Sequence, residues 1–138
     1  MENEEKEVFT VDVRCYGAEE VKGVTGEACM IFFDGSVSGP YFEGTVLQSA
    51  VDTQKQKYGQ ERFLSARYII KGKDFKGNDV KVFVENNGSF CPDGSIITHP
   101  MVLTDSKDLA FLETTPLYGT IEGQEGGVII HVFAKSTL

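Results

Sequence analysis

The chain has 138 residues, a length that predicts one domain built around one hydrophobic core. Hydrophobic residues make up 41% and charged residues 25%, which excludes the compositions typical of disordered, collagen-like and membrane-embedded chains. The formal net charge is −8, so the protein would repel phosphate backbones and anionic lipids. We therefore expect neither a nucleic acid nor a membrane among its partners.

The N-terminal segment predicts an acidic leader ahead of a single domain. Residues 1–7 are acidic and lack the apolar run of a signal peptide, so we assign them to a disordered leader and residues 8–138 to the domain. No stretch approaches the roughly 18 apolar residues of a membrane helix, and we expect a cytoplasmic protein. Cys15, Cys29 and Cys91 lack zinc-site spacing and are expected to be buried, reduced thiols.

Alternation of apolar and polar residues begins directly after the leader. Phe9, Val11, Val13 and Cys15 share one face, which predicts a half-buried strand over 9–15. The same pattern, or a short apolar run between turn formers, predicts further strands at 28–33, 41–51, 62–71, 80–84, 95–104, 109–115, 118–121 and 128–134. Helical periodicity is nearly absent.

Turn-forming residues separate these strands. Residues 74–79 predict a hairpin turn, 86–94 an exposed loop, and the polar segment 49–60 a loop, a single turn or a helix. About eight short strands with 15 glycines indicate an antiparallel sheet closed into a barrel or folded into a sandwich. Gly35, Gly39, Gly44 and Gly72 lie in or beside strands, where glycine permits sharp bends, and favour the closed or nearly closed barrel.

Three blocks of the sequence resemble a known family. Residues 34–52 (DGSVSGPYFEGTVLQSAVD) carry a Ser-x-x-Gly-Pro turn, a Gly-x-Val-Leu segment and Asp52; residues 66–68 and 85–88 form a second block, and 126–130 a third. The chain resembles the bacterial and fungal family called domain of unknown function 3237, as a divergent member without the family's common tryptophans. The resemblance implies a small antiparallel barrel similar to allene oxide cyclase and to lipocalin-like folds, with no established activity.

Two carboxylates are candidate catalytic residues. A barrel of about eight strands can hold one small ligand, and ionisable side chains on otherwise apolar strand faces could line its interior. Asp52 follows an apolar stretch and matches the family block, although a cap or turn role explains it equally well. Glu85 ends the strand of Val80, Val82 and Val84, and an inward Glu85 would be desolvated and suited to proton transfer.

Four further residues are candidate ligand-binding groups. Arg67 and Tyr68 are neighbours on one strand, so only one of them can point into the barrel. Phe83 lies on the same strand face as Glu85, and His131 lies between Ile129 and Phe133 on the last strand. A lone histidine in that setting is more often a hydrogen-bonded core residue than a ligand group.

Three functions remain open. The first is a small-molecule-binding barrel for an apolar or carbonyl-containing ligand, with a cavity supplied by Phe33, Phe42, Phe63 and Phe83. The second is a cofactor-independent isomerase, cyclase or lyase that uses Asp52 or Glu85. The third is a structural module that forms homo-oligomers. Two histidines without metal-like spacing, and the lack of nucleotide-binding motifs, predict neither a metal nor a cofactor.

Overall fold

Nine antiparallel strands form the sheet in the computed structural model, which describes residues 5–135. The strands are β1 (Glu5–Lys22), β2 (Gly26–Ser38), β3 (Phe42–Val46), β4 (Val51–Lys57), β5 (Arg62–Asp74), β6 (Asp79–Phe90), β7 (Ile96–Thr104), β8 (Leu117–Gln124) and β9 (Gly127–Lys135). A 3-10 turn (Lys107–Leu109) and the helix α1 (Phe111–Thr114) connect β7 to β8.

Backbone pairing closes the sheet into a barrel. β1 pairs with both β2 and β9, and the ring continues through β8, β7, β6 and β5. Between β5 and β2, two short strands share one position, because β3 pairs with residues 70–74 of β5 and β4 with residues 62–67. Nine strands therefore occupy eight positions, and the predicted antiparallel barrel of about eight strands is confirmed.

Side chains fill the end of the barrel at which β1 begins. Phe9 and Phe42 pack there with ring centroids 5.3 Å apart. The 3-10 turn and α1 bury Leu109 and Leu112 in the same core. Ser106 caps the turn by accepting a hydrogen bond from the Leu109 backbone N–H at 3.2 Å. Any space for a ligand inside the barrel must therefore lie toward the opposite end.

Several predicted elements differ from the structure. Residues 109–115, predicted as a strand, form part of the 3-10 turn and α1 instead, and the expected 86–94 loop is shorter because β6 continues to Phe90. The polar segment 49–60 contains β4. β1 begins at Glu5, so residues 5–7 of the expected leader belong to a strand, whereas residues 1–4 lie outside the described residues.

The cysteines are free but less buried than expected. Cys15 is exposed, and Cys29 and Cys91 are only partly buried. Cys15 stays on the inner face with Phe9, Val11 and Val13, opposite the buried Phe33 of β2, but it lies toward the end of the barrel away from the packed core and is exposed there. Among residues 5–135, no helix is long and apolar enough to cross a bilayer.

Close approach of β3 to β5 requires glycine. Gly44 lies opposite Gly72 in the register, and a Cβ added to Gly72 would lie 1.9 Å from the Glu43 carbonyl oxygen. A side chain at Gly72 would therefore force the β3 and β5 backbones apart, in the part of β5 that pairs with β3. The expectation that glycines near the strands permit closure agrees with this contact.

We expect Gly72→Ala to lower the free energy of unfolding by about 1–3 kcal/mol, because its Cβ would overlap backbone atoms that cannot move aside freely. Gly123→Ala is the matched control, since a Cβ on this β8 glycine meets no atom within 4 Å. Urea unfolding of both variants measures the difference. Equal stabilities would show that the β3–β5 contact does not constrain the barrel.

Candidate functional site

A cavity of about 150 Å³ lies inside the barrel, toward the end where the hairpins β1–β2, β4–β5 and β8–β9 turn. Its walls are mainly aliphatic, with one aromatic ring and three polar side chains from β4 and β6. The lining residues are Val13, Cys15, Ile31, Phe33, Asp52, Gln54, Leu64, Ala66, Asn86, Ile96, Ile121, Val128 and Ile130. The interior is thus partly hollow, as a ligand-binding barrel requires.

Two polar side chains face each other across a small residue. In the register, Asp52 of β4 lies opposite Ala66 of β5, and Ala66 lies opposite Asn86 of β6. Residues in such a row share one face, so all three point into the barrel. Neighbouring strands are about 4.8 Å apart, and the short side chain of Ala66 therefore leaves a gap between the carboxyl and the amide. Together with Gln54, Asp52 and Asn86 form the polar part of the cavity wall.

The Asp52 carboxyl is only half satisfied. Its Oδ2 accepts a hydrogen bond from Gln54 Nε2 at 2.9 Å, whereas its Oδ1 is buried and has no hydrogen-bond partner. Burial raises the pKa of Asp52 above its usual value, and the Gln54 hydrogen bond and the Arg62 charge oppose this only in part. A carboxyl of this kind can take up or release a proton, or accept a hydrogen bond from a ligand.

Hydrogen bonds connect Asp52 to the barrel rim. Arg62 Nε donates to Gln54 Oε1 at 2.9 Å, and an Arg62 terminal nitrogen contacts Glu27 Oε2 at 3.2 Å. The Arg62 and Glu27 side chains are each 21% exposed, so this ion pair is shielded from water. Glu27 also lines a wider cleft of about 400 Å³ at the hairpin ends. This polar chain of hydrogen-bonded side chains, Asp52–Gln54–Arg62–Glu27, therefore runs from the cavity to the surface.

Three more buried polar atoms have no hydrogen-bond partner. They are Asn86 Oδ1, Tyr68 OH and Thr98 Oγ1. Tyr68 packs edge-on against Phe33 at 5.5 Å between centroids, and burial raises the pKa of its phenol. Thr98 faces Gly119, where a Cβ would lie 2.4 Å from Thr98 Oγ1. Buried polar groups are normally paired, so this concentration is unusual for a purely structural core.

The structure places two of the six predicted site residues inside the barrel. Asp52 lines the cavity and Tyr68 lies in the core. Arg67 and Glu85 lie on the outer face, where they form an ion pair of 2.9 Å. Phe83 is on that outer face as well, because the buried Val82 and Val84 occupy the inner face of β6. For Glu85 and Phe83, the expectation of an interior position is therefore corrected. Of the alternatives Arg67 and Tyr68, the structure places Tyr68 inside and Arg67 outside, which corrects the ligand-binding role of Arg67 in the interior.

His131 also lies outside the barrel. Its Nε2 is 2.9 Å from Glu122 and its Nδ1 is 2.7 Å from Glu7. The hydrogen bond with Glu122, the hydrogen bond with Glu7 and the two negative charges raise the pKa of His131. This cluster joins β1, β8 and β9 and does not reach the cavity, since the inner face of β9 carries Ile130 and Val132. The interior position expected for His131 is likewise corrected.

Sequence reasoning missed most of the polar chain. Gln54 and Asn86 escape recognition because 49–60 and 86–94 are interpreted mainly as loops, and Glu27, Arg62 and Thr98 are not among the candidates named from the sequence. In β4, Asp52, Gln54 and Gln56 share one face, but Thr53 and Lys55 on the other face are polar as well, so the period of the strand is hidden. Among residues 5–135, no cluster of three or more His, Cys, Asp or Glu side chains is placed to hold a metal ion.

Solved structures share this fold over nearly the whole chain. A protein of unknown function from Clostridium acetobutylicum matches with a TM-score of 0.82 and 22% identity over 99% of both chains. A β-barrel-like protein from Acinetobacter baumannii matches with a TM-score of 0.76 and 13% identity, over 99% of this chain and 98% of that one. An enzyme from Penicillium herquei matches with a TM-score of 0.76 and 14% identity, over 97% and 95% respectively.

These structural matches establish the fold and not the activity, because one fold serves many functions. No protein-family model matches the chain, and no curated protein matches it. Membership of the domain of unknown function 3237 family stays a prediction.

We expect Asp52→Asn to stabilise the protein at neutral pH and to have a smaller effect in acid. Because the pKa of Asp52 is higher in the folded protein than in the unfolded chain, its contribution to stability is complete below the unfolded pKa of 3.8. That contribution is lost as the pH rises through the folded pKa. Asparagine imitates the neutral acid and still accepts from Gln54. Chemical unfolding at pH 5 and pH 8 tests this, with Asp34→Asn on the exposed side of β2 as control. A variant less stable than wild type at pH 8 would contradict the prediction.

Proposed function

We propose that this protein binds a small, mainly apolar molecule inside the barrel. The observation that carries the proposal is the cavity of about 150 Å³, whose aliphatic wall contains a buried carboxyl oxygen without a partner. Ligand sites typically combine apolar walls with a few placed polar groups. The filled opposite end of the barrel supports the same function, because it leaves the hollow at one end only.

The volume limits the size of the ligand. An apolar protein cavity of about 150 Å³ is large enough for one benzene-sized molecule. A single ring or a short branched chain therefore fits the rigid cavity, whereas a polycyclic ligand needs movement of the surrounding hairpins. The 400 Å³ cleft at the hairpin ends supports access from that side, since Glu27 and Gln56 border it.

We expect Ala66→Leu to abolish binding of toluene, used as a cavity probe, because the larger side chain would fill the gap between Asp52 and Asn86. Ile69→Ala is the matched control: it changes an exposed residue on the outer face of the same strand and should leave binding unchanged. Ligand-observed NMR titration gives the affinity, and circular dichroism verifies folding. No saturable binding of toluene or phenol to the wild type would refute the proposal.

A second candidate function is catalysis without a cofactor, as an isomerase, cyclase or lyase. Its supporting observation is Asp52, which lines the cavity, has a buried Oδ1 without a partner, and has a pKa that is raised by burial. A carboxylate in an apolar cavity can remove a proton from a carbon next to a carbonyl and return it at another position. Gln54 and Arg62 would hold the carboxyl in place during this transfer.

We expect the wild type to accelerate exchange of the α-protons of cyclopentanone in D₂O, with Asp52 removing a proton and returning a deuteron. Asp52→Asn should reduce the exchange rate by about 100-fold, the lower range of general-base catalysis. Asp34→Asn, on the exposed side of β2, should retain it. Exchange that is equally fast with wild type and Asp52→Asn would exclude Asp52 as the base.

A further inference from the structure

We propose that the cavity selects molecules that carry a hydroxyl or amine donor on a small apolar ring, in preference to hydrocarbons and carboxylates of the same size. The inference rests on the proposed function and specifies its ligand class.

Two unsatisfied groups in the cavity wall are hydrogen-bond acceptors. Asp52 Oδ1 and Asn86 Oδ1 are both buried and have no partner, and Asn86 is only 1% exposed. Their side chains flank Ala66 on the inner face of the sheet, so a ligand donor in the gap above Ala66 lies between them. An ionised carboxylate can only accept hydrogen bonds.

The energetic consequence follows from burial. A buried acceptor without a donor loses its hydrogen bonds to water and gains none in return. A ligand hydroxyl or amine restores that hydrogen bond, whereas a methyl group in the same position leaves the oxygen unpaired. The cavity therefore distinguishes ligands of equal shape by the presence of a donor.

Charge in the cavity disfavours anionic ligands. The described residues that line it include Asp52 but no lysine, arginine or histidine. Arg62 is the neighbouring cation, and its guanidinium already contacts Gln54 and Glu27. A ligand carboxylate would thus lie near Asp52 without a free cation to pair with, a costly arrangement away from water.

Phenol and toluene provide the test, because they have the same shape and differ in one hydroxyl. We expect the ratio of phenol to toluene association constants to fall about tenfold or more in Asp52→Leu, the range for losing a hydrogen bond to a charged group. Ile69→Ala, which changes an exposed residue on the outer face of β5, should leave this ratio unchanged. Benzoate should bind more weakly than phenol to the wild type.

The outcomes separate this inference from the proposed function. If phenol and toluene both bind but Asp52→Leu leaves their ratio unchanged, the donor preference is overturned and the apolar cavity remains. If neither binds to the folded wild type, the proposed function itself fails. Tighter binding of benzoate than of phenol would likewise overturn the selection against anions.

A measurement on the wild type keeps the inference testable if Asp52→Leu does not fold. Carbon NMR can follow the titration of the Asp52 carboxyl with saturating phenol and with saturating toluene. A donor stabilises the ionised form, so phenol should lower the Asp52 pKa, whereas toluene should leave or raise it by excluding water. The protein groups that act on Asp52, namely Gln54, Arg62 and Cys15, are present in both titrations. Shifts in the same direction for both ligands would contradict the inference.

Discussion

Closure of the backbone hydrogen-bond ring is the constraint on which the other features depend. β1 pairs on one side with β2 and on the other with β9, so no strand can slide without breaking a partner's register. Because side chains alternate between faces, the closed register assigns each residue to the interior or the exterior. Ala66 is inside and Arg67 is outside for this reason alone. The cavity and its polar wall follow from that assignment.

The unpaired polar atoms of the barrel interior reduce stability in the same region that provides binding or reactive groups. Unpaired buried atoms on Asp52, Asn86, Tyr68 and Thr98 each oppose folding. The tightly packed opposite end, around Phe9, compensates with a continuous apolar core. The barrel thus has one end that stabilises it and another that holds reactive or binding groups. This division is consistent with small-molecule binding and with catalysis, which both require a polar group deprived of water.

The sequence predicted the barrel because alternation is clear wherever one strand face is apolar, as in β1 and β9. It predicted Asp52 through its position after an apolar stretch, but could not decide between Arg67 and Tyr68, since either face of β5 carries apolar residues. β4 was missed for a physical reason. Its inner side chains pair with one another and with Arg62, so its burial leaves no hydrophobic periodicity to detect.

Comparison of the His131 cluster on the outer face with Asp52 inside the barrel shows why the interior is the better candidate for function. On the outer face, Glu7 and Glu122 both contact His131, so each carboxylate has a partner and access to water. Such a cluster ties strands together and has little reason to bind anything else. Inside, Asp52 has the same chemical group but keeps one oxygen buried and unpaired. A buried polar atom without a partner marks a candidate binding site, because a ligand or water that enters the cavity can supply the missing hydrogen bond.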